Sequence, residues 1–330
     1  MTAADLVDDL TRAVDRITAD PSFAAVDVGF GARDLRIHTR KGTDIPVAGL
    51  FPASRREPGA RLYLVDAEDV GELRFPDGRV LAPYGALPET VPTSWRVVHD
   101  LGTGRLLALD LERRVALFHP GVALPPRERA EFCRPLLHWL AILDGNVVVH
   151  AGGLARDGRA LLVAGAGNAG KSTLTRVCLD AGFEVLGDNV VEVELGARTV
   201  IHPTYPTFKI RPRPVVPVPA AWPAPSWDDE AEKDIYFLGG LLASSGPAAH
   251  VATLVLDERG PGAPAPLALS AAAFRVAPNT VGQFPFFEGE TLTRTGRVVA
   301  ARPTFEAGRM HIPAIPDVVA GLLATAEVAR

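Results

Sequence analysis

The stretch GAGNAGKS, residues 165–172, lies in the middle of the chain, directly after the apolar run ALLVA. Gly165, followed by four residues and then by Gly170, Lys171 and Ser172, is a complete Walker A pattern. Its glycines let successive backbone N–H groups point inward, and a helix that begins near Gly170 adds the positive end of its dipole to the same place. The stretch therefore predicts a phosphate-binding loop between a strand and a helix.

Two side chains of the loop have defined roles in this pattern. We expect Lys171 to reach the β and γ phosphates of a nucleotide, and the Ser172 hydroxyl to bind the Mg²⁺ that the nucleotide carries. The alternative is a glycine-rich strand-to-helix turn with an exposed lysine. The residues expected to contact ATP are Gly165, Ala166, Gly167, Asn168, Ala169, Gly170, Lys171, Ser172 and Thr173.

Motifs that the chain lacks narrow the class of nucleotide-binding protein. The sequence has no Asn-Lys-x-Asp motif, which disfavours a regulatory GTPase, and no Leu-Ser-Gly-Gly-Gln signature, which argues against a transporter ATPase. Kinases and stand-alone ATPases remain. Because no base-reading motif is present, the sequence leaves open whether the donor is ATP, GTP or another nucleotide.

Composition excludes several other classes of protein. The formal net charge of −5 argues against a nucleic-acid partner, since sequence-independent affinity for nucleic acid comes from clustered cations. No apolar run approaches the roughly 18 residues of a membrane span, and the N-terminus does not resemble a secretory signal, so we expect a soluble, cytoplasmic protein without a membrane partner. Cys133 and Cys178 indicate buried thiols, not a disulfide framework or a zinc site. A homo-oligomer is left open.

We interpret the chain as two modules, residues 1–122 and residues 123–330. The first begins with an amphipathic helix and continues to about Phe118 in short β-prone runs separated by Gly, Pro and Asp, as in a meander. These runs are VDVGF, DLRIHT, RLYLV, SWRVVHDL, RLLALDL and RVALFH. The first module is therefore predicted to be β-rich, with acceptor recognition as its candidate role.

The second module has the order of elements that a nucleotide-binding α/β core requires. A helix kinked or split near Pro135 should end at Gly145, and NVVVHAGGLA and RALLVA should form two strands joined by a turn at residues 156–158. The loop, the helix KSTLTRVCLDA and another strand pair, FEVLGDNVVEVEL, follow. A proline-rich extended loop over residues 211–228, the strand VATLVLD and the helix DVVAGLLATAEVA complete the module.

Asp188 ends the predicted strand FEVLG, and ligands of open α/β sheets bind at the carboxyl ends of strands. A carboxylate there can hold Mg²⁺ through water, or it can accept the proton of an attacking hydroxyl during in-line phosphoryl transfer. The alternative is an ordinary turn aspartate in Gly-Asp-Asn.

Other polar residues give weaker signals. If the strand VVVH lies beside the strand before the loop, His150 points toward the phosphates, although a lone histidine at a strand end is more often structural. Lys209 in TFKI and Lys233 in EKDIYFL can neutralise charge on a transferred phosphoryl group, or they can be solvated surface lysines. Arg302 and Arg309 are further candidates for that role.

The run HAGGLARDGRALLVAGAGNAGKSTLTRVCLDAGFEVLGDNVV, residues 150–191, resembles the nucleotide core of the HPr kinase/phosphorylase family and its stand-alone relatives, the HPr-kinase-like serine kinases. A weaker similarity extends through HPTYPTFKI to PNTVGQFP and RPTFEAGRMHIPAIPDVV. The resemblance covers roughly residues 146–320 and none of the first module. It implies an α/β fold with a P-loop core of the PEP carboxykinase/HPr kinase type beside the β-rich N-terminal module.

Residue by residue, the resemblance implies that His150 is an active-site histidine, that Asp188 is the catalytic carboxylate, and that Lys209 is a second phosphate contact. The family's usual second aspartate is Asn189 here, which can hydrogen-bond or bind metal through its carbonyl but cannot take a proton. Asp188 is then the only base of the pair, so the reverse phosphorolysis reaction is not implied for this chain.

Together these features predict a kinase that transfers the γ-phosphoryl group of ATP·Mg²⁺ to a serine-like hydroxyl of a peptide, protein or small metabolite. Asp188 would take the proton, Lys171 and the loop amides would hold the triphosphate, Ser172 and Asp188 would hold the metal, and His150 would steer the acceptor. Two alternatives stay open. One is a nucleotide-dependent binding module without phosphoryl transfer, and the other is a plain ATPase with water as the acceptor.

Overall fold

The computed structural model describes residues 3–40, 51, 54, 56–71, 73, 94–100, 103–121, 124–212, 214–230, 232–242 and 246–324. The boundary between the two modules at residues 122 and 123 and the last six residues of the chain lie outside this description. None of the helices in the described ranges is long and apolar enough to cross a membrane.

The predicted strands of the N-terminal half are present, but they do not form a meander. The elements are α1 (Ala3–Thr18), β1 (Phe23–Phe30), β2 (Arg33–Arg40), β3 (Pro58–Leu64), α2 (Ala67–Val70), β4 (Trp95–Asp100), β5 (Arg105–Asp110) and β6 (Val115–His119). The sheet order is β1-β2-β3-β6-β5-β4, and β3 runs parallel to both β2 and β6. The prediction of a meander is wrong because the alternation of apolar and polar residues indicates which face of a strand is buried. It does not indicate which strand is the neighbour.

The predicted N-terminal helix covers one face of this sheet. Its residues Leu6, Leu10 and Ile17 are buried in one cluster with Tyr63 of β3 and Trp95 of β4. The spacing of these apolar residues along α1 is that of an amphipathic helix, so the sequence prediction of α1 is confirmed.

The second half of the chain is mixed α/β. Its first elements are α3 (Pro126–Ala130), α4 (Arg134–Leu143), β7 (Val147–Val149), β8 (Gly152–Arg156), β9 (Arg159–Gly165), α5 (Lys171–Asp180), β10 (Glu184–Gly187), β11 (Val191–Glu194), β12 (Val200–His202) and β13 (Thr207–Ile210). The remaining elements are β14 (Ser226–Asp228), β15 (Lys233–Phe237), α6 (Gly239–Leu242), β16 (Ala248–Leu256), β17 (Ala265–Pro266), α7 (Leu269–Val281), α8 (Glu288–Ala301), β18 (Thr304–Ala307), a 3₁₀ helix (Ile312–Ala314) and α9 (Ile315–Ala324). The predicted break near Pro135 is confirmed, because three residues separate α3 from α4 and Cys133 adopts the left-handed conformation with φ of 53°.

The central sheet explains why the run before the loop is continuously apolar. Its order is β10-β8-β9-β16-β12-β11-β7, with β18 beside β16 and β17 beside β18. Along β9, Leu161 and Val163 pack with residues of α5 and α9, whereas Leu162 and Ala164 pack with residues of α7 and α8. Because helices cover both faces of the strand, the residues that point to either face are apolar.

The strand pair predicted in FEVLGDNVVEVEL is present as β10 and β11, but these strands do not pair with each other. β10 pairs with β8, and β11 pairs with β7 and β12. Val149 faces Val191 in one ladder and Gly153 faces Gly187 in the other, so these pairs are in register across a gap at residues 150–152 and 188–190, and the β10–β8 ladder shifts register between Val185 and Gly187. His150, Asp188 and Asn189 all lie in this interruption.

A buried ion pair joins the two halves of the chain. Glu192 of β11 is fully buried, and its carboxylate accepts hydrogen bonds from the Arg33 guanidinium, from the Ala32 backbone N–H at 3.1 Å and from the Asn146 side chain at 2.8 Å. Gly31 has a φ of 68°, and a Cβ at that position would lie 1.9 Å from the Glu192 carboxylate. The turn between β1 and β2 therefore reaches Glu192 only because residue 31 is glycine.

We expect Glu192→Ala to lower the free energy of unfolding by about 3 kcal/mol, because it leaves the buried Arg33 guanidinium and the Asn146 amide without this partner. Urea unfolding measures the loss. The control is Glu194→Ala on the same strand, where the side chain is 46% exposed and pairs with His202, and the expected loss is below about 1 kcal/mol. Equal losses in the two variants would contradict a special role for the buried pair.

Candidate active site

The loop predicted from GAGNAGKS has the expected strand–loop–helix geometry. β9 ends at Gly165 and α5 begins at Lys171, after Gly170, which has a φ of 101°. Gly165 lies so close to the end of β16 that a Cβ would be 2.6 Å from the Leu256 carbonyl oxygen. The glycine is therefore required at this position by close backbone packing as well as by its φ of 150°.

Lys171 folds back onto the loop. Its ammonium group donates hydrogen bonds to the carbonyl oxygens of Gly165 at 2.7 Å and Ala166 at 3.0 Å, and the residue is only 7% exposed. Burial lowers the pKa of Lys171 to about 8, an effect that Asp188 opposes and Lys233 reinforces. Lys171 is therefore buried, and not exposed as in the alternative of a simple glycine-rich strand-to-helix turn.

Asp188 contacts the helix that follows the loop. Its carboxylate accepts hydrogen bonds from the Thr175 hydroxyl at 2.8 Å and from the backbone N–H of Lys209 at 3.3 Å, and the Ser172 side chain lies close enough to lower its pKa. The residue is 4% exposed, and burial raises the pKa of this carboxyl group above its usual value despite these hydrogen bonds. The structure thus brings together the predicted base and Ser172, the predicted metal ligand.

The position of His150 corrects one sequence expectation. The strand VVVH does not lie beside β9, because β7 pairs with β11, and it is the next strand, β8, that pairs with β9. His150 lies at the junction of β7 and β8, where its Nε2 is 3.1 Å from Asn189 Oδ1. Burial, followed by the nearby Lys171 charge, lowers the pKa of His150 to about 4.

His150, Lys171, Asp188 and Asn189 lie together in one cluster of side chains, and Glu131 is a further member of it that the sequence reasoning missed. It lies between α3 and α4 and is 6% exposed, and its carboxylate accepts from Lys209 Nζ at 2.7 Å, Asn189 Nδ2 at 2.6 Å and Arg134 Nη1 at 3.0 Å. Burial favours the protonated form, but Lys209 and Arg134 outweigh it and hold the pKa of Glu131 at about 2. Glu131 lies in the charge-rich run RERAEFCR, residues 127–134, so no signal in the sequence set it apart from the other charged residues there.

The remaining cationic candidates divide into two groups. The Lys209 ammonium pairs with Glu131, and the Lys233 charge acts on Lys171 and Lys209, so both lysines belong to the cluster. Arg302 donates to the His250 carbonyl oxygen, and Arg309, which is mostly exposed, pairs with Glu258. Within the described contacts, neither arginine joins the cluster.

Glu131, Asp188 and Lys209 line a narrow recess that has no room for a water-sized molecule in this structure. The described residues contain no group of three or more His, Cys, Asp or Glu side chains that could hold a metal ion by themselves. A cation at this site would therefore take most of its ligands from water or from a bound ligand, which is how Mg²⁺ is usually held.

No protein-family model and no curated protein matches the sequence. One solved structure that is similar is the HPr(Ser) kinase/phosphatase from Coxiella burnetii, with a TM-score of 0.30 and 12% sequence identity over 55% of this chain and 90% of that chain. A likeness of this size assigns neither a fold nor an activity, so the functional argument rests on the geometry of the site.

The ionised Glu131 predicts a specific pH dependence of stability. Its pKa of about 2 lies below the usual value of 4.5, so its stabilising effect is complete above pH 4.5 and is lost as the pH falls toward 2. We expect the advantage in unfolding free energy of wild type over Glu131→Gln to shrink by about 2 kcal/mol between pH 6 and pH 3, measured by urea unfolding. The exposed Glu230→Gln should show a much smaller change, and a constant difference for Glu131→Gln would contradict the assignment.

Proposed function

We propose that this protein is a kinase that transfers the γ-phosphoryl group of ATP to a serine-like hydroxyl of a peptide, protein or small metabolite. The observation that carries the proposal is the buried Asp188 carboxylate, which accepts a hydrogen bond from Thr175 and lies near Ser172 in the first turns of the helix that follows the Walker A loop. A carboxylate whose pKa is raised by burial, next to a phosphate-binding loop, suits a general base for an attacking alcohol.

The loop and its surroundings fit a polyphosphate. Lys171 would exchange its two backbone carbonyl partners for phosphate oxygens, while N–H groups of the loop and of the start of α5 would supply further donors. Lys233 adds positive charge near Asp188, whereas the Lys209 ammonium group is paired with Glu131. The ligand that this arrangement would bind is anionic.

Mg²⁺ fits the polar groups present, because the Ser172 hydroxyl and the Asp188 carboxylate are oxygen ligands that lie near each other. These two residues would hold the ion, which would supply positive charge to neutralise the charge that develops on the phosphates. The chain's own task is then to hold the acceptor oxygen in line with the γ phosphorus. Asp188 accepts the hydroxyl proton as the new O–P bond forms and the bond to the β-phosphate oxygen breaks, releasing ADP.

Asp188→Asn separates the possible functions. For a kinase, turnover should fall by about 10²-fold or more while nucleotide affinity is kept, because the amide cannot accept the proton. The readout is a mass gain of one phosphoryl group on candidate peptides, proteins or metabolites incubated with ATP·Mg²⁺, with ATP binding measured by calorimetry.

Asp180→Asn is the matched control, since Asp180 ends the same helix, is 43% exposed and pairs with Arg176. Its turnover should equal that of wild type. Release of ADP that does not depend on any added alcohol would instead favour a plain ATPase, and a partner interaction that survives in Asp188→Asn without any transfer would favour a binding module.

The lowered pKa of Lys171 predicts how nucleotide affinity depends on pH. Below pH 8 the ammonium group is charged and the affinity should be constant. Above pH 8 the free protein loses this proton while bound phosphate favours keeping it, so the dissociation constant should rise by up to about tenfold per pH unit. Calorimetry between pH 7 and pH 9.5 measures the slope. Lys171→Met should bind nucleotide more weakly at pH 7, and its dissociation constant should no longer rise above pH 8 through the loss of this proton. An unchanged pH dependence in Lys171→Met would contradict the role of Lys171.

A further inference from the structure

Each ring nitrogen of His150 faces an oxygen atom. Nε2 lies 3.1 Å from Asn189 Oδ1, and Nδ1 lies 3.3 Å from the backbone carbonyl oxygen of Asn279. The ring is neutral at pH 7 because burial and the Lys171 charge lower its pKa to about 4. A neutral imidazole carries one proton and can donate to only one of the two oxygens. The tautomer therefore depends on which oxygen is held more firmly in place.

Glu131 fixes the orientation of the Asn189 amide. Asn189 Nδ2 donates to Glu131 Oε1 at 2.6 Å, which leaves Oδ1 directed at His150. If the amide turned over, its oxygen would face the carboxylate and two acceptors would be in contact. Lys209 and Arg134 keep Glu131 ionised, so the amide cannot gain a donor from a protonated Glu131.

The strengths of the competing hydrogen bonds decide the tautomer. The bond from Asn189 to the Glu131 carboxylate is charge-assisted, and such bonds are roughly twice as strong as neutral ones. The alternative bond from His150 Nδ1 to the Asn279 carbonyl is neutral, and at 3.3 Å it lies beyond the usual range of about 2.7–3.2 Å. The stronger bond holds the amide, and the amide oxygen then holds the proton of His150 on Nε2.

We propose that Glu131 is a positioning residue which, through the Asn189 amide, fixes His150 as its Nε2–H tautomer. The proposal rests on the proposed function in one respect, since its value to catalysis requires that His150 act beside the transferred phosphoryl group. The assignment of the tautomer itself holds for the protein without nucleotide.

The test is nitrogen NMR of the histidine rings at pH 7.5, with the His150 signals identified by their loss in His150→Gln. Wild type should carry its proton on Nε2. The double variant Glu131→Met with Lys209→Met removes the carboxylate and its ammonium partner together. Proteins often tolerate the replacement of a buried ion pair by apolar side chains. Without the carboxylate, the Asn189 amide is free to turn. His150 should then protonate on Nδ1 and donate to Asn279, while Nε2 accepts from the turned Asn189 amide.

Lys209→Arg is the matched control. It keeps a cation against Glu131 together with Arg134 and Asn189, so His150 should stay protonated on Nε2. Asn189→Leu keeps all the charges and removes the amide, so it should also give the Nδ1 tautomer. It replaces the double variant in this test if the double variant does not fold. An Nδ1 proton in wild type, an Nε2 proton in the double variant, or a changed tautomer in Lys209→Arg overturns the proposal.

Kinetics test the consequence for catalysis. Asn189→Leu should lower kcat about tenfold or more with little change in KM for ATP, because the side chains that contact the nucleotide are kept. An unchanged kcat together with a switched tautomer would overturn the catalytic part of the proposal. If wild type transfers no phosphoryl group, the proposed function fails, and the NMR result still decides whether Glu131 sets the tautomer.

Discussion

The candidate site depends on the position of β8 between β9 and β10. Because β8 runs antiparallel to both, β9 and β10 are parallel to each other, and Gly165 and Asp188 follow their carboxyl ends at the same edge of the sheet. β8 begins at this edge with Gly152, where a Cβ would lie 2.9 Å from the Thr175 methyl group. A side chain at residue 152 would push α5 outward, and with it Lys171 away from Asp188. The geometry of the loop and of the carboxylate is therefore set by one strand and by the small size of its first residue.

The pKa values of the two buried carboxyl groups in this cluster are shifted in opposite directions because their partners differ. Asp188 accepts from the Thr175 hydroxyl and the Lys209 backbone N–H, which are neutral, and the Lys233 charge has a smaller effect than burial, so burial dominates and its pKa is raised. Glu131 is held by Lys209 and Arg134, whose charges outweigh burial, so its pKa is about 2. A carboxylate with a raised pKa can take a proton during a reaction, whereas one with a pKa of about 2 stays ionised at neutral pH. The environments thus separate a proton acceptor from a fixed negative charge.

The sequence predicted the features of the site that depend on neighbouring residues along the chain. The loop, the helix from Lys171 and the place of Asp188 at the end of a strand follow from local patterns of glycine and apolar residues. The pairing of β7 with β11 could not be predicted, because the alternation of apolar residues carries no information about which strand is the neighbour. Glu131 was missed for a related reason. Its partners Lys209 and Asn189 are far away in sequence, and no local spacing connects them.

The Asn189 amide can hydrogen-bond to both Glu131 and His150, which an ionised aspartate at position 189 could not do. The amide offers a donor to the Glu131 carboxylate and an acceptor to His150, whereas an ionised aspartate has only acceptors and would place a second negative charge against Glu131. The charge that Asn189 lacks is supplied instead from the junction of α3 and α4, where Glu131 also provides Lys209 with its counter-ion. The amide at 189 therefore does not leave the cluster short of negative charge. Glu131, with its pKa of about 2, stays ionised at neutral pH, whereas burial raises the pKa of Asp188.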